Sequence, residues 1–267
     1  MHYANPIEVL KNRVKHCLLK HVNISRIHII GCSRSGTTML HYSMVAFENM
    51  ILHNKETSVW GYPSIKESFQ LFKSHIDSKK GKTFLVTKRE RYWYLHEYIT
   101  KILFFIKKNN IYVINLIRHP LDVMTSRHRL DTKEYYVEPD FWNASIEAAD
   151  FLMRSLGDYP NKLTIKFEDV VMHPERIEQL FTERIGLQKK REVKSLRMLK
   201  ENLALAGPID RRMIPYMHEL RDFDPAAIGR WADHPAKSAR VAYLLQQSPY
   251  KNQIRQFMMQ YGYDDHF

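Results

Sequence analysis

Cysteine is scarce: the 267 residues hold two, Cys17 and Cys32. Two thiols do not make a disulfide framework, and they suit a reducing compartment. No Cys/His spacing matches a zinc site, and the 14 histidines are mostly scattered singly. No apolar run approaches the roughly 18 residues needed to cross a bilayer. The first residues lack the apolar stretch and small-residue cleavage site of a secretory leader, so a cytoplasmic location is expected. Repeats, low-complexity tracts and Gly/Ser linkers are also missing, and nothing in the composition divides the chain.

What is present is a chain that is 44% hydrophobic, with a formal charge of +12. That apolar share suffices for one sizeable core. The charge fits nucleic acid, an anionic membrane surface, an acidic substrate or cofactor, or simply a soluble basic enzyme. No recognisable nucleic-acid motif accompanies it. Expected organisation is an N-terminal helical extension over 1–25 and one domain over 26–267. In the extension, Ile7, Leu10, Val14 and Leu18 recur at helical spacing across residues 6–21.

Short β-branched runs alternate with helical patterns. Strands are expected at Arg26–Ile30, Thr83–Thr87, Ile111–Ile117 and Leu163–Phe167. Helices are expected over 37–47, 91–107, from about 120, over 140–156 and from Pro174. The rest, from about 188, reads mostly as helix and loop. The alternation predicts an α/β fold with a central parallel sheet flanked by helices. Ligands of such sheets bind beyond the carboxyl ends of the strands.

Two loops leave strands at that end. The first is "HIIGCSRSGTTML", residues 28–40. A strand, a glycine turn and a helix start form an anion site, because free N–H groups and the helix dipole both favour negative charge. Ser33, Ser35, Thr37 and Thr38 add hydroxyls, Arg34 adds a cation, and Gly36 closes the turn. Gly31-x4-Gly36 matches the opening of the nucleotide P-loop, but Thr37 stands where that motif has lysine. This weakens a kinase or NTPase reading. The second loop is "LIRHPLDVMTSRH", residues 116–128. Arg118 offers a planar fork of donors to a phosphate, and Pro120 suits the first turn of a helix. If that helix continues, Ser126 lies two turns after residue 119 and faces back toward the same anion.

Together these motifs resemble the sulfotransferases that use 3′-phosphoadenosine 5′-phosphosulfate (PAPS) and release 3′-phosphoadenosine 5′-phosphate (PAP). GCSRSGTT is similar to that family's 5′-phosphosulfate loop, in the version of the tyrosylprotein branch and many bacterial members, which carry arginine as Arg34 does. Arg118, Pro120, Asp122 and Ser126 match the 3′-phosphate motif R-x-P-x-D-x-x-x-S. "LTIKFEDVVMHPERIEQLF" (163–181) is similar to a mainly structural family segment, through Phe167, Glu168, Asp169 and Pro174. "IGRWADH" (228–234) resembles the Gly-Arg-Trp piece near the donor's 3′ side, with Arg230 and Trp231. The fuller glycine-and-lysine motif of the cytosolic branch is absent. The resemblance spans about residues 26 to 234 and implies a single-domain, P-loop-like sulfotransferase fold with no metal requirement.

It also implies an in-line sulfuryl transfer to a hydroxyl or amine, driven by positioning and charge stabilisation. Arg34 would stabilise the leaving phosphate. Lys88 matches a family lysine near the transferred group. Glu56 follows Arg34 at the spacing of the family's catalytic glutamate, Glu90 sits where the cytosolic branch has its catalytic histidine, and His53 is a third candidate base. The acceptor would be a carbohydrate or small molecule. A helix over the basic run "KKREVKSLRMLK" (189–200) presents a solvated cationic face, or else reads an anionic acceptor. Trp93, Tyr94, Tyr135, Tyr136 and Trp142 line an acceptor cleft or belong to the core. The acceptor pocket itself is expected from 57–80, 129–145 and 205–225. Two other functions compete: a nucleotide kinase or NTPase, and a non-catalytic anion- or nucleic-acid-binding module whose binding would be strongly salt-dependent.

Overall fold

The computed structural model describes residues 24–57, 59, 82–89, 96–127, 133–193, 223–232 and 235–263. Five parallel strands form one sheet: β1 (Ile24–Ile30), β2 (Met50–Glu56), β3 (Thr83–Lys88), β4 (Tyr112–Ile117) and β5 (Lys162–Lys166), in the order β2-β3-β1-β4-β5. The helices are α1 (Thr37–Ser43), α2 (His96–Asn109), α3 (Pro120–Met124), α4 (Pro139–Ser155), α5 (Phe167–Met172), α6 (Pro174–Ile185), α7 (Pro235–Ala242) and α8 (Lys251–Tyr261). This is the expected α/β architecture.

Most side chains of the central strands are apolar because both sheet faces are covered, the polar exceptions being Ser25, Arg26 and His28 in β1, Thr83, Thr87 and Lys88 in β3, and Asn115 in β4. Along β1 the side chains alternate. Ile27 and Ile29 pack into a core shared with α1, α5 and α6. Ile30 joins a second core built from α2 and α4. Arg26 and His28 share the parity of Ile30, and both are buried. They share one hydroxyl: Arg26 Nε donates to Thr87 Oγ1 at 3.0 Å, and that oxygen lies 2.8 Å from His28 Nδ1, while the Arg26 guanidinium also donates to the Val59 carbonyl.

Adjacent strands β1 and β4 send their connections to opposite faces. The chain leaves β1 for α1, which packs on one face. It leaves β4 for α3, whose Leu121, Val123 and Met124 pack with α8. The crevice between such diverging connections is where open α/β sheets place ligands, and both candidate loops open into it.

Several sequence expectations need correction. β2 has no counterpart among the expected strands: it is an edge strand, so only part of Met-Ile-Leu-His-Asn-Lys-Glu needs to be apolar. The helix expected over 37–47 stops at Ser43 and tightens into a 3₁₀ turn, Met44–Ala46. There the Ala46 carbonyl accepts from the N–H groups of Lys190 and Arg191. The strand expected to end at Phe167 ends at Lys166, and Phe167 opens α5. The described part of the run 189–200 is not helical. Glu178, buried on α6, accepts from Val193 N at 2.7 Å and pairs with Lys189, pinning the segment in an irregular path. The expected N-terminal helix and residues 194–200 lie outside the described residues. Among the described residues, no helix is long and apolar enough to cross a membrane.

Candidate functional site

The first loop is built around two close approaches. Gly31 has φ +146°, and a Cβ there would lie 2.4 Å from the Leu116 carbonyl oxygen of β4. Gly36 has φ +91°, and its Cβ would lie 2.5 Å from the Phe167 ring. Only glycine fits both the backbone and the space. As the residue before α1, Gly36 supplies no side chain to cap it. Arg34 holds a left-handed φ of 69°, which costs a non-glycine residue roughly 1–3 kcal/mol and tends to occur where function demands it. Ser33, Ser35 and Thr37 are buried, and Thr38 is half-buried. Ser33 Oγ accepts from the Arg89 guanidinium at 3.0 Å.

The second loop interlocks with the first. Arg118 donates through NH1 to the Arg34 carbonyl (3.1 Å) and through NH2 to the Ala227 carbonyl (2.7 Å). Arg34 returns the contact, donating through Nε to Ser126 Oγ (3.2 Å) and through NH2 to the Arg127 carbonyl (3.0 Å). The Arg118 guanidinium lies 4.2 Å from the Phe167 ring centroid, so one ring supports both loops. Arg118 is largely buried, and its Nε has no hydrogen-bond partner among the described residues. Burial lowers its pKa, with Asp122 and Glu168 acting in the opposite sense. Asp122 pairs with Arg118 at 3.7 Å and accepts from Gly229 N at 2.9 Å.

Ser126 reaches this cluster by a route other than the one expected. α3 has only five residues and ends at Met124. Ser126 follows it, with its hydroxyl donating to the Val123 carbonyl (2.8 Å) and its own carbonyl accepting from Tyr136 N (3.3 Å). It therefore reaches the first loop from a turn and not from a second helical turn.

Beside the first loop, Lys88 ends β3 and is fully buried. Its Nζ donates to Thr38 Oγ1 (3.0 Å) and to Glu56 Oε1 (2.8 Å). Burial lowers the Lys88 pKa, while the Glu56 charge opposes that shift. The Glu56 side chain is 43% exposed against 2% for Lys88, so the carboxylate is anchored by the lysine and still reaches solvent. Glu56 meets Lys88 because the register between β2 and β3 shifts after Leu52.

His41 lies beneath this pair, fully buried, and its Nε2–H donates to the Val86 carbonyl at 3.3 Å. Burial holds its pKa down at about 3, helped by the Lys88 charge. The unfolded chain protonates this histidine near its ordinary value of about 6.5. The stability it contributes is therefore intact above about pH 6.5 and is lost as pH falls from there toward 3. Melting temperature should decline with acid across that window. His41→Gln should make the decline shallower, leaving the share of His28, whose pKa burial also lowers. An unchanged slope would remove His41 from the account.

Of the residues singled out in the sequence, Thr38, Glu56 and Lys88 thus meet in one cluster and Arg34, Arg118 and Ser126 in another, the two joined by the first loop. Arg230 pairs with Asp224 at 3.1 Å and donates to the Ala226 carbonyl, and its charge acts on Arg118. Trp231 stacks on the His119 ring, with centroids 5.2 Å apart and planes 18° from parallel. Trp142 is core, with 1% of its surface exposed. Glu90, Trp93 and Tyr94 lie outside the described residues. Among the described residues, no group of three or more His, Cys, Asp and Glu side chains forms a metal cage.

Sequence reasoning missed two contributors, Arg89 and Tyr263, and gave a third, Glu168, only as part of a mainly structural segment. Arg89 follows Lys88 and holds Ser33. Glu168 accepts from His119 N (2.9 Å) and from Tyr263 OH (3.0 Å), and burial raises its pKa, with the His119 N–H opposing. Tyr263 itself meets the His119 ring edge-on at 5.0 Å, so the end of the chain braces the second loop. Nothing local in the sequence marks Tyr263 for this role, since the residues it braces, Glu168 and His119, lie 95 or more positions away.

No protein-family model matches the sequence, and no curated protein matches it either. Solved structures do. The sulfotransferase domain from the curacin biosynthetic pathway aligns at a TM-score of 0.57 and 17% identity, covering 90% of this chain and 98% of that one. The sulfotransferase domain from the Synechococcus PCC 7002 olefin synthase aligns at 0.55 and 17%, covering 91% and 95%. Likeness at this identity is likeness of fold alone, and the five-stranded parallel sheet with its flanking helices is the fold shared with these sulfotransferase domains.

Proposed function

We propose that the protein is a PAPS-dependent sulfotransferase that moves a sulfuryl group onto a hydroxyl or amine of a carbohydrate or small-molecule acceptor, in the cytoplasm. The observation that carries this reading is the reciprocal lock between the loops, Arg118 on the Arg34 carbonyl and Arg34 on Ser126. It sets two cationic loops side by side at the strand ends, which suits a ligand with two separate anionic groups. The donor set fits: guanidinium forks, serine and threonine hydroxyls, and a buried Arg118 Nε lacking a partner among the described residues.

In this reading the first loop, from Ser33 to Thr38, holds the phosphosulfate, while Arg118 and Ser126 hold the 3′-phosphate, with Trp231 near that side. The acceptor oxygen or nitrogen bonds to sulfur as the sulfur–oxygen bond to the 5′-phosphate breaks. The acceptor proton passes to Glu56, and the charge left on the departing phosphate falls to Arg34 and Lys88. Lys88 also serves the base, because its hydrogen bond holds the Glu56 carboxylate aimed, as positioned proton acceptance requires. The chemistry requires no metal.

The test is calorimetric titration with PAP, adenosine 5′-phosphate and ATP. Wild type should prefer PAP, and Arg118→Ala should weaken PAP by about 10- to 100-fold, the size of one or two charge-assisted hydrogen bonds. Adenosine 5′-phosphate should weaken less than PAP, because among the described residues Arg118 bonds to the first loop only through the Arg34 carbonyl. Equal affinity of the wild type for PAP and adenosine 5′-phosphate would sink the donor assignment, and magnesium-dependent ATP turnover would favour an NTPase.

A further inference from the structure

Lys237 lies in the first turn of α7, next to the second loop, and its surroundings are cationic. Three arginines act on it: Arg118, Arg230 and Arg127. Each of them has a carboxylate, Arg118 with Asp122 at 3.7 Å, Arg230 with Asp224 at 3.1 Å and Arg127 with Glu134 at 3.8 Å. Lys237 has none within ion-pair distance among the described residues. Its Nζ donates instead to the Arg230 carbonyl, at 3.2 Å. Asp122 is the carboxylate whose charge compensates Lys237, but it is already engaged by Arg118 and by Gly229 N. Burial lowers the Lys237 pKa, Asp122 opposes this, and the three arginines add to the drop. No acidic residue occupies the first turn of α7, where the helix dipole also disfavours a cation. The ammonium therefore sits where desolvation, repulsion and the dipole all act against it, and a bound anion would reverse all three.

We infer that Lys237 is a further ligand of the anion held at the second loop, its Nζ exchanging the Arg230 carbonyl for an oxygen of the donor's 3′-phosphate. This rests on the donor reading above and adds a residue to it that no motif indicated. Arg118 approaches the site from β4 and Lys237 from α7, so the anion would tie the C-terminal helices to the sheet. Arg230, which carried the sequence-level resemblance, contributes its backbone carbonyl as the resting place of Lys237, while its side chain stays with Asp224.

Titration of wild type, Lys237→Gln and Lys237→Arg with PAP and with adenosine 5′-phosphate tests the inference. Lys237→Gln should weaken PAP by about tenfold, the size of one charge-assisted hydrogen bond, and leave adenosine 5′-phosphate unchanged. Lys237→Arg should restore most of the PAP affinity. A glutamine variant that keeps the full preference for PAP overturns the inference while leaving the donor reading intact. Equal weakening of both nucleotides also overturns it, since Lys237 would then act only by shaping the Arg230 turn. A wild type that does not distinguish PAP from adenosine 5′-phosphate overturns the donor reading and this inference together.

Discussion

Replacing Glu56 with glutamine is expected to lower sulfuryl transfer by about 10²- to 10⁴-fold, the usual contribution of a positioned general base. PAP affinity should stay close to wild type. Glutamine keeps the shape and can still accept a hydrogen bond from Lys88, so the loss isolates the proton-accepting function. The geometry makes Glu56 the strongest candidate among the described acids: it is bonded to a buried lysine at 2.8 Å and reaches solvent on its other side. Steady-state rates across pH provide a second readout, since the acidic limb of the profile should vanish with the carboxylate. Lys88 should respond as well. The Glu56 charge supports its protonation against burial, so Lys88 should lose its proton at lower pH in the variant. Near-normal turnover would move the base elsewhere, to Glu90 or to His53, which lies three residues before Glu56 on β2.

Gly31→Ala should be the most damaging single substitution in the first loop. The added methyl would meet the Leu116 carbonyl oxygen at 2.4 Å and the Thr37 methyl at 3.2 Å, on a backbone with φ +146°. The carbonyl cannot yield cheaply, because β4 is paired on both sides, with β1 and β5. Backbone strain alone costs roughly 1–3 kcal/mol, and the clash adds to it. In a chain of this size, a loss of that order lowers the melting temperature by about 5–10 °C. Gly157→Ala is the comparison: φ is +56°, but nothing lies within 4 Å of the new methyl. It should cost less and leave the PAP preference unchanged. If Gly31→Ala melts with Gly157→Ala, the contact between the loop and β4 is looser than its geometry indicates.

The legibility of the elements tracks how far each is buried. β1, β3 and β4 could be read directly because strands covered on both faces are rich in apolar and β-branched residues, even with Arg26, His28, Lys88 and Asn115 buried among them. Pro120, Pro139 and Pro174 each open a helix, as the fixed φ of proline allows. β2 escaped notice because an edge strand needs few apolar residues, and its Asn-Lys-Glu end has the composition of a loop. The early stop of α1 was equally hidden, since the N–H groups that turn toward Ala46 belong to Lys190 and Arg191, far along the chain.

The site divides the same way. Arg34, Gly36, Thr38, Arg118 and Ser126 are visible as two local patterns, because backbone turns that approach an anion demand particular residues within a few positions. Glu56 was reached only through spacing shared with a family. Its bond to Lys88 depends on the register shift between β2 and β3, a property of pairing and not of either segment. Arg230 adds what the Gly-Arg-Trp piece alone does not show: its guanidinium donates to Asp224, six residues back, while its charge acts on Arg118.

By itself, then, the sequence determined an α/β sheet, the two loops at its strand ends and the chemistry those loops favour, since each of these follows from interactions between residues close together in the chain. The tertiary structure decided which carboxylate meets Lys88, which cations crowd the second loop, and that Tyr263 braces it. Those outcomes depend on the charges and rings that distant segments bring together, and the energy of such encounters is written in no single stretch of chain.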